Sequence, residues 1–264
     1  MIRLLAILVL LCANAPVRAA PCTTCTAGGG TYRAVVPPQW DGTSKLRLLV
    51  FLHGFMMEGA DITDDASIRD AAARLNFLLV APNGLMRSWS HAGSPSQARD
   101  DLAFLHAVLA DAKSRWPIDP RAIVAAGFSQ GASMVWDLAC YAAADYTAFL
   151  PFSGGFWEPL PRACASGPVD LRHVHGRDDR TVPLAGRALF GPYRQGDIRR
   201  GFDVWLAEDA CRAPPVHLKD WAGLDCESWS GCASGRRLQL CKRPGGHRMW
   251  QGDVLAGLRW AIAR

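Results

Sequence analysis

Ser129 stands between glycines in Gly127-Phe128-Ser129-Gln130-Gly131, where the chain changes character. Ala122 to Ala126 is a short apolar run such as a buried strand presents. Gln130 to Ala144 has no proline and repeats Met134, Val135, Leu138 and Tyr141 at roughly helical spacing. So tight a passage from strand to helix strains the serine backbone, and a side chain at either glycine would strike a neighbouring element. The hydroxyl is then held clear of the main chain beside the N–H that starts a helix, which suits a nucleophile. A serine attacks only when an imidazole takes its proton, and the imidazole needs a carboxylate to fix its tautomer and stabilise its cation. Both partner types follow. Leu171 to Gly176 reads as a strand end running into the acidic loop Arg177-Asp178-Asp179-Arg180. Gly245-Gly246-His247 then places a histidine on a glycine-hinged loop before the last helix.

Acyl transfer through such a serine also needs donors for the developing oxyanion. Leu46 to Leu52 is an apolar strand ending in His53-Gly54-Phe55, so the main-chain N–H groups of Phe55 and Gln130 are the expected pair. Ten tryptophans are present. Trp136, Trp205 and Trp260 fall within helix patterns and read as core. Trp89, Trp157 and Trp250 fall on loops near C-terminal strand ends or near a catalytic element, where open α/β sheets bind ligands. Together with His53 of the oxyanion turn, these three are the expected substrate contacts.

To bring these groups together the chain must alternate strand and helix in a mostly parallel α/β sheet. Strands are expected near 32–36, 46–52, 77–81, 122–126, 148–152, 171–175 and 236–241. Helices are expected near 64–75, 96–114, 130–143, 185–190, 199–210 and 252–262. Residues 211–235 are the least readable, with a candidate strand at Val216 to Trp221 and a disulfide-tied loop. No insertion is long enough for a large lid, so the site is expected to be open to bulky substrates. With 264 residues, 50% of them apolar, the chain can bury one full domain core.

Several pieces together resemble the polyhydroxybutyrate depolymerase and feruloyl esterase group of α/β-hydrolases. They are Leu52-His53-Gly54, Val80-Ala81-Pro82-Asn83-Gly84, Arg99-Asp100-Asp101-Leu102, Ile118-Asp119-Pro120-Arg121, the serine turn, His175-Gly176 with Val182-Pro183, and Gly245-Gly246-His247. Serine, acid and histidine also follow the chain order of that fold. The resemblance implies an α/β-hydrolase fold with helices on both faces of the sheet, and a serine carboxylic-ester hydrolase working through an acyl-enzyme. It implies Ser129, Asp179 and His247 as the triad, because the family's acid stands three residues after its His-Gly pair and three before its Val-Pro. The implied substrates are hydroxyalkanoate oligomers or feruloylated or acetylated polysaccharide, with no metal and no organic cofactor. The chain departs from the group at His247-Arg248-Met249-Trp250, where the usual aromatic stands one place late and lacks its proline. Two rivals start elsewhere. His173-Val174-His175 followed by Asp178 and Asp179 resembles a binuclear zinc hydrolase loop, although no second cluster supplies the remaining ligands. A non-catalytic binding module on the same fold is the other.

Met1-Ile2-Arg3, the apolar run Leu4 to Leu11 and the small residues around Ala19 read as a signal peptide over 1–20, leaving one catalytic domain at 21–264. A secreted or periplasmic protein is therefore expected. Beyond that segment stand Cys22, Cys25, Cys140, Cys164, Cys211, Cys226, Cys232 and Cys241. An even count suits up to four disulfides, among 105 pairings that the sequence leaves open. The formal charge of +5 includes Arg3 and Arg18, leaving about +3, and the basic residues are scattered. No nucleic-acid partner, no membrane in the mature form and a monomer are expected.

Overall fold

The computed structural model describes residues 22–263, and the expected signal peptide lies outside them. The strands are β1 (Cys22–Ala27), β2 (Gly30–Val35), β3 (Leu46–Leu52), β4 (Phe77–Pro82), β5 (Ile118–Phe128), β6 (Ala148–Phe152), β7 (Leu171–Gly176), β8 (Arg187–Ala188), β9 (Arg194–Gln195), β10 (Val216–Lys219), β11 (Asp225–Trp229) and β12 (Leu238–Arg243). Ten of them form one sheet in the order β1-β2-β4-β3-β5-β6-β7-β12-β11-β10, while β8 and β9 pair separately. From β4 to β12 the neighbours run parallel. Antiparallel strands close both edges.

The central strands are almost wholly apolar because helices cover both faces, as parallel sheets require. Alternation along β3 divides the core. Leu48, Val50 and Leu52 pack with α3 (Asp101–Arg115), α4 (Gln130–Tyr141) and α5 (Ile198–Glu208) on one side. Leu49 and Phe51 pack with α1 (Gly59–Asp64), α2 (Ala66–Arg74) and α6 (Asp253–Ile262) on the other. Asp65, Asp100 and Asp197 cap α2, α3 and α5 by accepting first-turn N–H groups.

Three local expectations are corrected. Residues 185–190 form no helix; Pro183 and Pro192 flank Gly186 and Gly191, both at positive φ, and this punctuation bends the segment into the β8–β9 hairpin. The helix expected from 96 starts only at Asp101, after its Asp100 cap. Strands β1 and β11 were not foreseen, because their polar, cysteine-bearing sequences carry no clean alternation.

Among the described residues, four disulfides join Cys22–Cys25, Cys140–Cys164, Cys211–Cys232 and Cys226–Cys241. The last links directly opposed residues of β11 and β12. No helix among the described residues is long and apolar enough to cross a membrane.

Candidate active site

Between β5 and α4 the backbone at Ser129 takes φ +56° and ψ −121°, an unusual conformation for a side-chain-bearing residue. The flanking glycines are required by close approach. A Cβ on Gly127 would lie 2.5 Å from the Gly131 carbonyl oxygen, and one on Gly131 would lie 2.2 Å from that of Leu52. The Ser129 N–H donates to the Phe152 carbonyl at 2.9 Å, anchoring the turn to the end of β6.

The loop after β12 carries His247 over this turn, with its ring against Phe128. Ser129 Oγ lies 2.8 Å from His247 Nε2, and His247 Nδ1 lies 2.7 Å from Asp179 Oδ2. With the carboxylate as acceptor, Nδ1–H donates to Asp179 and Nε2 is left to take the serine proton. The other carboxylate oxygen accepts the N–H groups of Thr181 (2.9 Å) and Val182 (2.8 Å). Burial alone would raise the Asp179 pKa. The hydrogen bonds from His247 and Val182 outweigh it, so the carboxyl stays below its usual range. Asp178 turns the other way: its backbone N–H donates to the Gly245 carbonyl and its carboxylate accepts the Gly245 N–H at 3.2 Å. It fastens the histidine loop.

Behind Asp179 runs a buried line of rings. Trp136 Nε1–H donates to His173 Nδ1 at 3.2 Å, so His173 Nε2–H donates to His175 Nδ1 at 2.9 Å. His175 Nε2–H then donates to the Val182 carbonyl at 2.8 Å, with Asp179 Oδ2 at 3.4 Å. Desolvation holds the pKa of both histidines down, His173 well below the ordinary value, so both rings are neutral. All four ring nitrogens are engaged with protein partners, which leaves no lone pair for the zinc centre considered from this motif.

The expected oxyanion donors adjoin the serine. Gln130 opens α4, where first-turn N–H groups lack intrahelical acceptors and the helix dipole favours negative charge. Phe55 follows Gly54, where a Cβ would stand 3.5 Å from Ser129 Cβ. The Phe55 turn is braced from behind. His53 Nε2 accepts the Gly84 N–H at 2.9 Å, which assigns its proton to Nδ1, and Nδ1–H donates to the Gly54 carbonyl. Trp89 Nε1–H donates to the His53 carbonyl at 2.8 Å, and the Gln130 side chain bonds Ser88 and the Trp89 backbone.

His53 and Trp89 are therefore corrected as substrate contacts: both are fully buried, and they hold the turn that presents Phe55. Trp157 lines a cavity of about 280 Å³ together with Ser129, Gln130 and Phe55. Trp250 is absent from that lining, and its ring lies beside the guanidinium groups of Arg243 and Arg248. What the sequence did not reveal is the far wall: Arg187, Leu189, Phe190 and Gln195 of the β8–β9 hairpin line the same cavity. The Gly-Pro pair at 191–192 was the available signal for a turn there.

Residues 94–202 match the phospholipase/carboxylesterase family profile. The chain is 29% identical over 165 residues to feruloyl esterase C of Emericella nidulans, covering 60% of this chain and 58% of that one. It is 25% identical over 237 residues to feruloyl esterase B of Piromyces equi, covering 83% of this chain and 42% of the relative. The matches thus span little more than half the length of the first of these relatives. Among solved structures, acetyl xylan esterase from Aspergillus awamori superposes with a TM-score of 0.61 at 11% identity, over 88% of this chain and 93% of that one. A feruloyl esterase module from Clostridium thermocellum in complex with sinapinate gives 0.59 at 16% identity, over 94% and 91%. The chain has the α/β-hydrolase fold and is similar in sequence to feruloyl esterases.

Proposed function

We propose that this chain is an exported serine carboxylic-ester hydrolase with Ser129 as nucleophile, His247 as general base and acid, and Asp179 as the orienting carboxylate. The observation that carries the proposal is the unbroken hydrogen-bonded line from Ser129 Oγ through His247 to Asp179. Ser129 attacks the ester carbonyl while His247 Nε2 takes its proton, and the Phe55 and Gln130 N–H groups receive the oxyanion. His247 then protonates the departing alcohol, and water repeats the sequence to free the acid. Aromatic side chains along the cavity and the feruloyl and acetyl xylan esterase relatives favour phenolic or acetyl esters of polysaccharide. Four disulfides suit an oxidising compartment.

The test is turnover of p-nitrophenyl acetate, then of methyl ferulate and acetylated xylan. Ser129→Ala should lose roughly 10⁶-fold in kcat. Asp179→Asn should lose roughly 10⁴-fold, as expected for a mis-set histidine tautomer. Wild-type turnover in Ser129→Ala would remove the proposal.

A further inference from the structure

The cavity beside Ser129 is lined by aromatic, aliphatic and neutral polar residues with one charged exception, Arg187. This side chain is half-buried at the start of β8, and two bonds fix its guanidinium in place. Nε–H donates to Gln195 Oε1 at 3.0 Å across the hairpin, and Nη1–H donates to the Arg180 carbonyl at 3.3 Å. Neither partner is an anion. Among the described residues no carboxylate pairs with Arg187, whereas Arg194 on the same hairpin meets Glu158 at 3.1 Å. Nη2 has no protein partner among those residues.

A guanidinium held at two of its nitrogens, partly withdrawn from water and left without a counter-charge, is set to receive a planar oxyanion. Its setting sharpens the point. The cavity otherwise offers Phe55, Trp157, Leu189 and Phe190, which bind an apolar stem but give no reason for a cation.

We infer that Arg187 is a specificity-determining residue, and that this site prefers esters carrying a carboxylate a few bonds from the scissile carbonyl. The inference rests on the esterase reading of the same site and adds the charge of the substrate to it. The carboxylate engages Arg187, the intervening stem lies along the aromatic wall, and the ester carbonyl reaches Ser129.

Two matched pairs of esters test it, with the anion on the acyl side or on the alcohol side. Monomethyl adipate is compared with methyl hexanoate, and the free-acid dimer of 3-hydroxybutyrate with its terminal amide. The wild-type protein should prefer the charged member of at least one pair by about ten- to a hundredfold in kcat/KM. That preference should shrink in 0.5 M NaCl and vanish in Arg187→Met, while Arg187→Lys keeps part of it. Free adipate should inhibit the wild type competitively and Arg187→Met far less. Equal rates within both pairs, or a preference that survives Arg187→Met, would overturn the inference. Loss of p-nitrophenyl acetate turnover in Ser129→Ala judges the esterase reading separately, so the two can fail independently.

Discussion

Asp178 and Asp179 are adjacent, yet one holds the imidazole and the other staples the loop that carries it. The difference comes from surroundings. Asp179 is enclosed by the N–H groups of Thr181 and Val182, the imidazole of His247 and the ring of His175. His175 cannot touch a substrate, but it fixes the Val182 carbonyl and faces the same carboxylate oxygen as His247. Its replacement by Phe orphans that carbonyl, a cost of about 1–3 kcal/mol in a buried setting. His175→Phe should lower kcat about tenfold with little change in KM, and His175→Gln, which keeps an N–H, should recover part of it. Steady-state kinetics on a nitrophenyl ester would check this, and an unaltered kcat would reduce the ring line to packing. Among the tryptophans, Trp157→Ala should raise KM several-fold for aromatic esters while Trp250→Ala leaves it near wild type, because only the former ring lines the cavity.

The elements converge on the serine through contacts too close for side chains. Gly131 lies so near the end of β3 that even a methyl group would overlap the Leu52 carbonyl. Gly131→Ala should therefore destabilise the fold by about 1–3 kcal/mol and displace the α4 N-terminus, lowering kcat as well. Urea unfolding followed with tryptophan fluorescence measures the first effect. At the far edge of the sheet, Cys211–Cys232 closes the segment between α5 and β12, upstream of the histidine loop. The double variant Cys211→Ser/Cys232→Ser should lose roughly 2–4 kcal/mol of stability by the same measurement. The β8–β9 hairpin is the most instructive element. Its two large hydrophobic residues, Leu189 and Phe190, are too few to set a period, and the prolines and glycines around them determine the backbone. One wall of the cavity thus comes from a segment, 185–190, whose expected helix is a hairpin instead.

At the scale of the whole molecule, burial sets a pH dependence away from the site. Asp209, at the end of α5, is fully enclosed and accepts the Val169 N–H, while its Oδ2 has no partner among the described residues. Desolvation, reinforced by the neighbouring charge of Asp170, raises its pKa to about 7. In the unfolded chain the group ionises near the ordinary aspartate value of about 4. Between those limits the native state keeps a proton that the unfolded state has released, so this group lowers stability as pH rises from about 4 to 7. Asp209→Asn should flatten that decline, and melting temperatures at pH 5 and pH 7.5 should lie closer together than in the wild type. An unchanged gap would show that Asp209 is not responsible.

The alternating α/β plan was legible in the sequence, and so were the residues of the proposed triad, Ser129, Asp179 and His247, and the strand before the proposed oxyanion turn, because each rests on local chemistry. Glycines around a serine, an acid loop after an apolar strand and a hinged histidine all announce themselves within a few residues. Only the tertiary structure decided which loop aromatics face the cavity, which cysteines pair, and what Arg187 faces. A tryptophan or an arginine on a loop has the same local pattern whether it points inward or outward. Its direction is set by residues distant in the chain, as Trp89 is by the His53 carbonyl and Arg187 by Gln195 across the hairpin.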